Sequence, residues 1–175
     1  MFNPRWHAIR TRSRAERMVR DALTHCGIDS FLPLMTRISK WKGRHKCIEW
    51  ALFPGYCFAK FSDSERNLVT QAAGVLEIID PAECRPAVIL EPDIAAVRRI
   101  MACGQRYRAD FGFEDGIRVE VLRGPLAGIQ GKLIRKGDRC RLAIFIDAIG
   151  QGASVEIDAE NTTLIDSSPS VTGGL

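Results

Sequence analysis

The chain has 175 residues, 46% apolar and 26% charged, with a formal net charge of +4. This composition excludes a disordered or fibrous polypeptide and suits one or two globular domains. No apolar run approaches the ~20 residues of a membrane helix, and the opening MFNPRWHAIRTRSRAERMV lacks the apolar core and cleavage site of a secretory signal, so a soluble, cytoplasmic protein with no membrane partner is expected.

The charge is unevenly spread. Residues 1–60 carry 12 Lys/Arg against 4 Asp/Glu, whereas residues 61–175 carry 13 against 17. A basic first third is the electrostatic footprint of a polyanion partner such as nucleic acid, although a solvated surface has the same composition. The six cysteines, at 26, 47, 57, 84, 103 and 140, include no Cys-x-x-Cys pair. That spacing argues against a disulfide framework and a zinc cage. His45-x-Cys47 has no second pair to complete a tetrahedron, so no metal and no cofactor are expected.

In chain order, WHAIRTR reads as a first strand, with Trp6, Ala8, Arg10 and Arg12 on one face. SRAERMVRDALTHCG reads as a helix, with Ser13 and Glu16 as a capping box and Gly27 as its stop. Its apolar stripe is Ala15, Met18, Val19, Ala22, Leu23 and Cys26, which turns Arg14, Arg17 and Arg20 outward. DSFLPLMTRISKW is extended, and residues 34–51 form a basic hairpin whose tip carries Lys40, Lys42, Arg44 and Lys46, with tryptophans at Trp41 and Trp50. The two tryptophans are expected to pair across it and stiffen it rather than stack on bases.

Pro54-Gly55 then makes a turn into YCFAKF, residues 56–61. Tyr56, Phe58 and Lys60 share one face of this strand, and Cys57, Ala59 and Phe61 the other. Small residues suit close helix packing, which would leave the aromatics as an outward patch; the alternative is that they complete the domain's own core. SDSERNLVTQAA is a second helix ended by Gly74, VLEIID a strand, and EPDIAAVRRIMACG a third helix with Ile94, Val97 and Met101 as its stripe. QRYRADFGF is polar and unpatterned, a linker by texture. From Asp115 the runs IRVEV, GKLIRK, RLAIFID and ASVEID alternate like four or five strands of a small barrel, and SSPSVTGGL has the composition of a disordered tail.

Gly124, Gly128 and Gly131 before Lys132 do not make a phosphate loop. Leu126 and Leu133 occupy the required Gly and Ser/Thr places, so the glycines are assigned to turns and bulges. His7, His25 and His45 have no nucleophile or carboxylate partner in sequence, and no two-metal site emerges from Asp21, Glu49 and Asp63. No catalytic residues and no enzyme activity are expected.

Two signatures stand in order: W-x-A-x-x-T-x-x-R-x-E at 6–16 with F-P-G-Y-x-F at 53–58, then VEVLRGPLAGIQGKL at 119–133. Together they resemble the NusG family of transcription elongation factors, and the RTRSRAE start with the basic hairpin resembles its specialised, RfaH-like branch. The resemblance implies an α+β chain: an N-terminal α/β sandwich, a mostly antiparallel sheet with flanking helices, at 1–104, a linker at 105–114, a small SH3-like KOW β-barrel at 115–166 and a tail at 167–175. It implies a monomeric elongation and antitermination factor that docks on the clamp helices of the RNA polymerase largest subunit and suppresses pausing. The matching residues are Trp6, Ala8, Arg10, Phe53, Tyr56 and Phe58, with Arg10 standing where relatives carry an apolar or aromatic side chain. Arg12, Arg14 and Arg17 match residues that contact the non-template DNA strand, whereas Ala73 stands where many relatives carry an arginine. Lys40, Lys42, Arg44 and Lys46 join them as nucleic-acid candidates. The resemblance further implies recruitment of a ribosomal protein or termination factor by the barrel, which is rich in Ile and Val and expected to stay a barrel in the free protein. A KOW-containing RNA-binding protein of ribosomal-protein type is the alternative.

Overall fold

The computed structural model describes residues 3–41, 43–80, 87–111 and 116–165. Lys42, Cys84 and the tail at 167–175 lie outside the described residues. The first sheet is antiparallel, in the order β2-β5-β1-β6, from β1 (Arg5–Thr11), β2 (Asp29–Phe31), β5 (Tyr56–Phe61) and β6 (Val75–Ile78). The faces follow the alternation read in the sequence. Ile9, Cys57, Ala59 and Phe61 are buried against Val19 and Leu23 of α1 (Glu16–His25) and Val69 of α2 (Arg66–Gln71). Small side chains on the strands let these helices lie close to the sheet.

The start of α1 differs from the capping box expected of Ser13 and Glu16. Ala15 occupies the N-cap, and a Glu16 carboxylate oxygen accepts instead from the Gly55 N–H at 2.8 Å. Glu16 thereby ties the helix to the Pro54-Gly55 turn that opens β5. A comparable reciprocal bond occurs elsewhere, where Glu65 accepts from the Ser62 N–H and hydroxyl at 2.8 and 2.7 Å. Gly27, with φ +80°, stops α1 as expected of a left-handed C-terminal residue.

The second extended stretch splits at Leu32-Pro33 into β2 and a separate ribbon, β3 (Leu34–Trp41) paired with β4 (Arg44–Ala51). Its register pairs Trp41 with Arg44 and Trp50 with Met35. The tryptophans therefore stand at opposite ends of the hairpin, and the expected cross-strand pairing does not occur. A lone two-stranded ribbon is marginal in water. Here its base is tied by the Leu52 N–H to the Pro33 carbonyl at 2.8 Å and by the Tyr107 hydroxyl to the Leu34 carbonyl at 2.7 Å.

The third helix, α3 (Glu91–Ala102), buries Ile94, Ala96, Val97 and Ile100, a wider surface than the single stripe read in sequence. Beyond it, the stretch expected to be a linker contains β7 (Tyr107–Phe111). This strand pairs with β11 (Gln151–Ile157) in a six-stranded sheet ordered β12-β8-β9-β10-β11-β7. The remaining members are β8 (Ile117–Val121), β9 (Gln130–Lys136), β10 (Arg139–Ile146) and β12 (Thr162–Leu164). Strands run through 117–164, and no α-helix forms there among the described residues.

The glycines of the 119–133 motif are structural, as expected. A Cβ on Gly131 would sit 2.7 Å from the Ala143 carbonyl oxygen and from Ile144 Cδ1. Gly131→Ala is therefore expected to overpack the barrel and destabilise the protein by roughly 1–3 kcal/mol, measured as a lower denaturation midpoint with an unchanged denaturant slope.

Candidate functional site

Strands β1 and β5 pair Trp6 with Lys60, Ala8 with Phe58 and Arg10 with Tyr56. The face expected from sequence exists, and Phe53 meets Phe58 edge-on with centroids 5.9 Å apart. Its exposure differs from expectation. Phe58, Phe53 and Ala8 are 0% exposed and Trp6 is 1% exposed, while Tyr56 is half-buried. The two rings of β5 do not both point outward past a single layer of helices. Helices α1 and α2 cover the small-residue face, and α3 covers the aromatic one.

Specific contacts pin α3 there. The Trp6 indole N–H donates to Glu91 at 2.9 Å, and the Lys60 ammonium donates to the same carboxylate oxygen at 2.8 Å. The Lys60 bond first, and the Trp6 bond with it, hold the Glu91 carboxyl below its ordinary range. Ile89 bonds backbone to backbone with Trp6 at 2.8 Å. The Arg98 guanidinium lies 5.2 Å from the Trp6 ring centroid and 4.8 Å from that of Phe31, within cation–π range. None of these partners of Trp6 has a local sequence signal, since Glu91 is 85 residues away.

The other side of α3 meets the barrel at β10 and β11. Ala96, Ala143 and Ala153 are buried there, so helix and strands approach closely, and Arg99 donates to the Pro125 carbonyl at 2.7 Å. One apolar cluster runs from Trp6 and Phe58 through Ile94, Val97 and Ile100 to Leu142 and Val155. In this conformation the aromatic face is an interior.

The basic residues separate into two groups. Lys40, Arg44 and Lys46 are exposed on the ribbon toward its tip. Eight residues of strand place that tip roughly 25 Å from the base. At the base, Arg10, Arg14 and Arg17 line one groove with Trp50 and Tyr56. Arg12 is exposed but does not line it. Arg10 pairs with Glu77 at 3.0 Å and Arg17 with Glu49 at 2.9 Å, both exposed. The resemblance puts Arg10 among the docking residues; the structure joins it to the arginine groove at that face's edge. Among the described residues, no group of three His, Cys, Asp or Glu side chains is arranged to hold a metal, and no helix is long and apolar enough to cross a membrane.

Residues 4–98 match a family model described as "NusG: Transcription termination factor nusG". A curated relative, the transcription termination/antitermination protein NusG of Pseudomonas aeruginosa, is 23% identical over 167 residues, covering 88% of this chain and 94% of the relative. A solved structure reported for domain interaction in Thermotoga maritima NusG matches with a TM-score of 0.50 at 16% identity, over 93% of this chain and 98% of that one. Both domains thus share a known fold.

The seam between α3 and the barrel carries a titratable group. Burial first, and the Asp147 charge second, push the Asp93 carboxyl above its ordinary value of 3.8. Arg99, Arg118 and Lys132 line the same groove. A raised carboxyl pKa means that the folded state binds more protons than the unfolded one, so this group's contribution weakens as pH rises from 3.8 through the raised value. Asp93→Asn is expected to be more stable than wild type in denaturant at pH 7, with the difference closing as pH falls toward 3.8.

Proposed function

Because the chain belongs to the NusG family, whose model spans 95 of its 175 residues, we propose that it docks on the clamp helices of the RNA polymerase largest subunit and suppresses pausing. The family relationship makes it a factor of transcription elongation and antitermination. The observation that carries the docking reading is the continuous aromatic face of Trp6, Phe53 and Phe58, with Tyr56 at its half-open edge. Aromatics in a packed cluster are the anchors a helical partner uses.

Docking starts at Tyr56, the least buried ring, and extends inward as the barrel and α3 give way. The apolar area exposed by that movement is covered again by the clamp helices, so the exchange costs little. The barrel, once released, is free to recruit a ribosomal protein or termination factor; Ile117 and Leu164 stand exposed along its β8–β12 edge. Arg12, Arg14 and Arg17 face the non-template DNA strand, and the ribbon tip supplies salt-sensitive phosphate contacts through Lys40, Arg44 and Lys46. The arginine-rich start and long ribbon favour the specialised, RfaH-like branch.

The test uses the full chain and isolated clamp helices. Phe58→Ala alone is unsuitable, because truncating a fully buried Phe costs about 3–5 kcal/mol of stability. Tyr56→Ala should fold with a melting temperature near wild type and bind the clamp helices at least about tenfold more weakly. Wild-type affinity in a folded Tyr56→Ala protein would refute docking through this face.

A further inference from the structure

The seam between α3 and the barrel holds a groove of about 920 Å³. One wall is α3, where Pro92, Ala96 and Arg99 recur at helical spacing and so share a face. The other wall is formed by β8, β9 and β10. Their antiparallel register sets Arg118 of β8 directly opposite Lys132 of β9, and Lys132 opposite Ala143 of β10. Ala96 and Ala143 are buried. Arg99 thus reaches the groove from one domain, and Arg118 and Lys132 reach it from the other.

The fold does not neutralise the two arginines. Arg99 donates to a neutral acceptor, the Pro125 carbonyl, at 2.7 Å. Among the described residues, neither Arg99 nor Arg118 has a carboxylate within ion-pair distance. Glu120, on the same face of β8 as Arg118, instead accepts from Gln130 Nε2 at 3.1 Å. Asp93 and Asp147 also line the groove and pair with neither arginine; after burial, the Asp147 charge is what pushes the Asp93 carboxyl up, so these two carboxylates act on each other. Like charges directly opposite one another oppose strand pairing. An anion beside Arg118 and Lys132 would relieve that opposition.

Guanidinium forks match the oxygens of a phosphate group. Anchors on two walls suit an anion with more than one such group, and the recess is of the size that takes a small molecule. The Phe145 ring is already faced by the Lys132 ammonium, 5.5 Å from its centroid. An unpaired base therefore finds no open ring here. We propose that this groove is a binding site for a small oligophosphate anion, held by Arg99 from α3 and by Arg118 and Lys132 from the barrel. Because its anchors belong to both domains, the bound anion favours the closed seam over an opened one. The inference goes beyond the docking reading and does not depend on it.

The test is isothermal titration of the full chain with sodium tripolyphosphate, pyrophosphate and orthophosphate at constant ionic strength. Tripolyphosphate should bind most tightly and orthophosphate least, and tripolyphosphate should slow amide hydrogen exchange in α3 and β10. Arg118→Ala, at an exposed strand position, should melt as wild type does and bind tripolyphosphate about tenfold more weakly, the lower end for one lost hydrogen bond to a charged group. Arg99→Ala should also weaken binding, whereas Arg14→Ala, in the separate arginine groove, should leave it unchanged. Asp93→Asn, which takes a negative charge off the groove wall, should tighten it. The proposal is overturned if tripolyphosphate binds no more tightly than orthophosphate, if Arg118→Ala binds it as wild type does, if the loss follows Arg14→Ala instead, or if exchange at the seam is unaltered by saturating anion. Complete displacement of tripolyphosphate by an RNA oligonucleotide at equal phosphate concentration would assign the groove to nucleic acid and overturn it too. Clamp-helix binding measured without phosphate separates the two readings: its absence, with Arg118-dependent tripolyphosphate binding intact, refutes docking and leaves this site standing.

Discussion

The seating of α3 on Trp6 is the interaction from which the arrangement of both domains follows. The buried positions of α3, Ile94, Ala96, Val97 and Ile100, span an arc of about 160° of the helix, and two walls share it. The sheet supplies one with large rings, Trp6, Phe53 and Phe58, and the barrel supplies the other with small residues, Ala143 and Ala153. Glu91 fixes the N-terminal end of the helix by receiving both the Trp6 indole and the Lys60 ammonium. The two domains consequently share one apolar cluster instead of being joined only by chain.

That sharing sets an energetic condition on any partner of the aromatic face. Each fully buried large apolar side chain contributes about 1.5–3 kcal/mol relative to exposure. Trp6, Phe53 and Phe58 are each within 1% of complete burial. A partner that displaced the covering layer without burying these rings again would be opposed by several kcal/mol. A partner of similar apolar shape would have to overcome only the polar bonds that close the seam, among them the Arg99–Pro125 and Tyr107–Leu34 hydrogen bonds. Those bonds are the minor terms, at about 0.5–1.5 kcal/mol each for typical neutral bonds and more where a charge takes part. Any partner of this face would therefore have to present a matching apolar surface.

Local pattern is legible in the sequence wherever one element determines its own form. The alternation at 56–61, the stripe of α1, the stop at Gly27 and the hairpin at 34–51 all follow from residue period and turn chemistry. Which residues share a face is readable; what lies over that face is not. Period 2 puts Trp6, Ala8, Tyr56 and Phe58 together, yet whether α3 or solvent covers them depends on contacts between residues 85 positions apart. The family resemblance pointed to an open face, whereas the apolar composition of the rings is equally compatible with a core. Strand β7 is hidden for a different reason. Its charges, Arg108 and Asp110, pair with each other at 3.0 Å, and the buried Asp110 reads as linker polarity when taken alone. Alternating with them, Tyr107 and Ala109 pack on the shared cluster, a pattern masked by those charges.

The candidate nucleic-acid surface shows how register converts composition into position. Trp41 and Trp50 look symmetric about a basic loop, which favours a stacked pair. The turn between β3 and β4 instead pairs Trp41 with Arg44, at the very tip. Every later partner is then fixed, and Trp50 falls at the far end opposite Met35. One additional residue in that turn would shift the pairing and reverse the face of each side chain on β4. The same register that strips Trp50 of an aromatic partner brings it beside Arg14 and Arg17, which arrive from the β1–α1 connection and α1. The basic charge of the first 60 residues is thereby divided, with one share carried roughly 25 Å out on the ribbon and the other gathered around an exposed indole at its root. Trp50, 54% exposed, is thereby left as an aromatic surface in water among the cations of the second share.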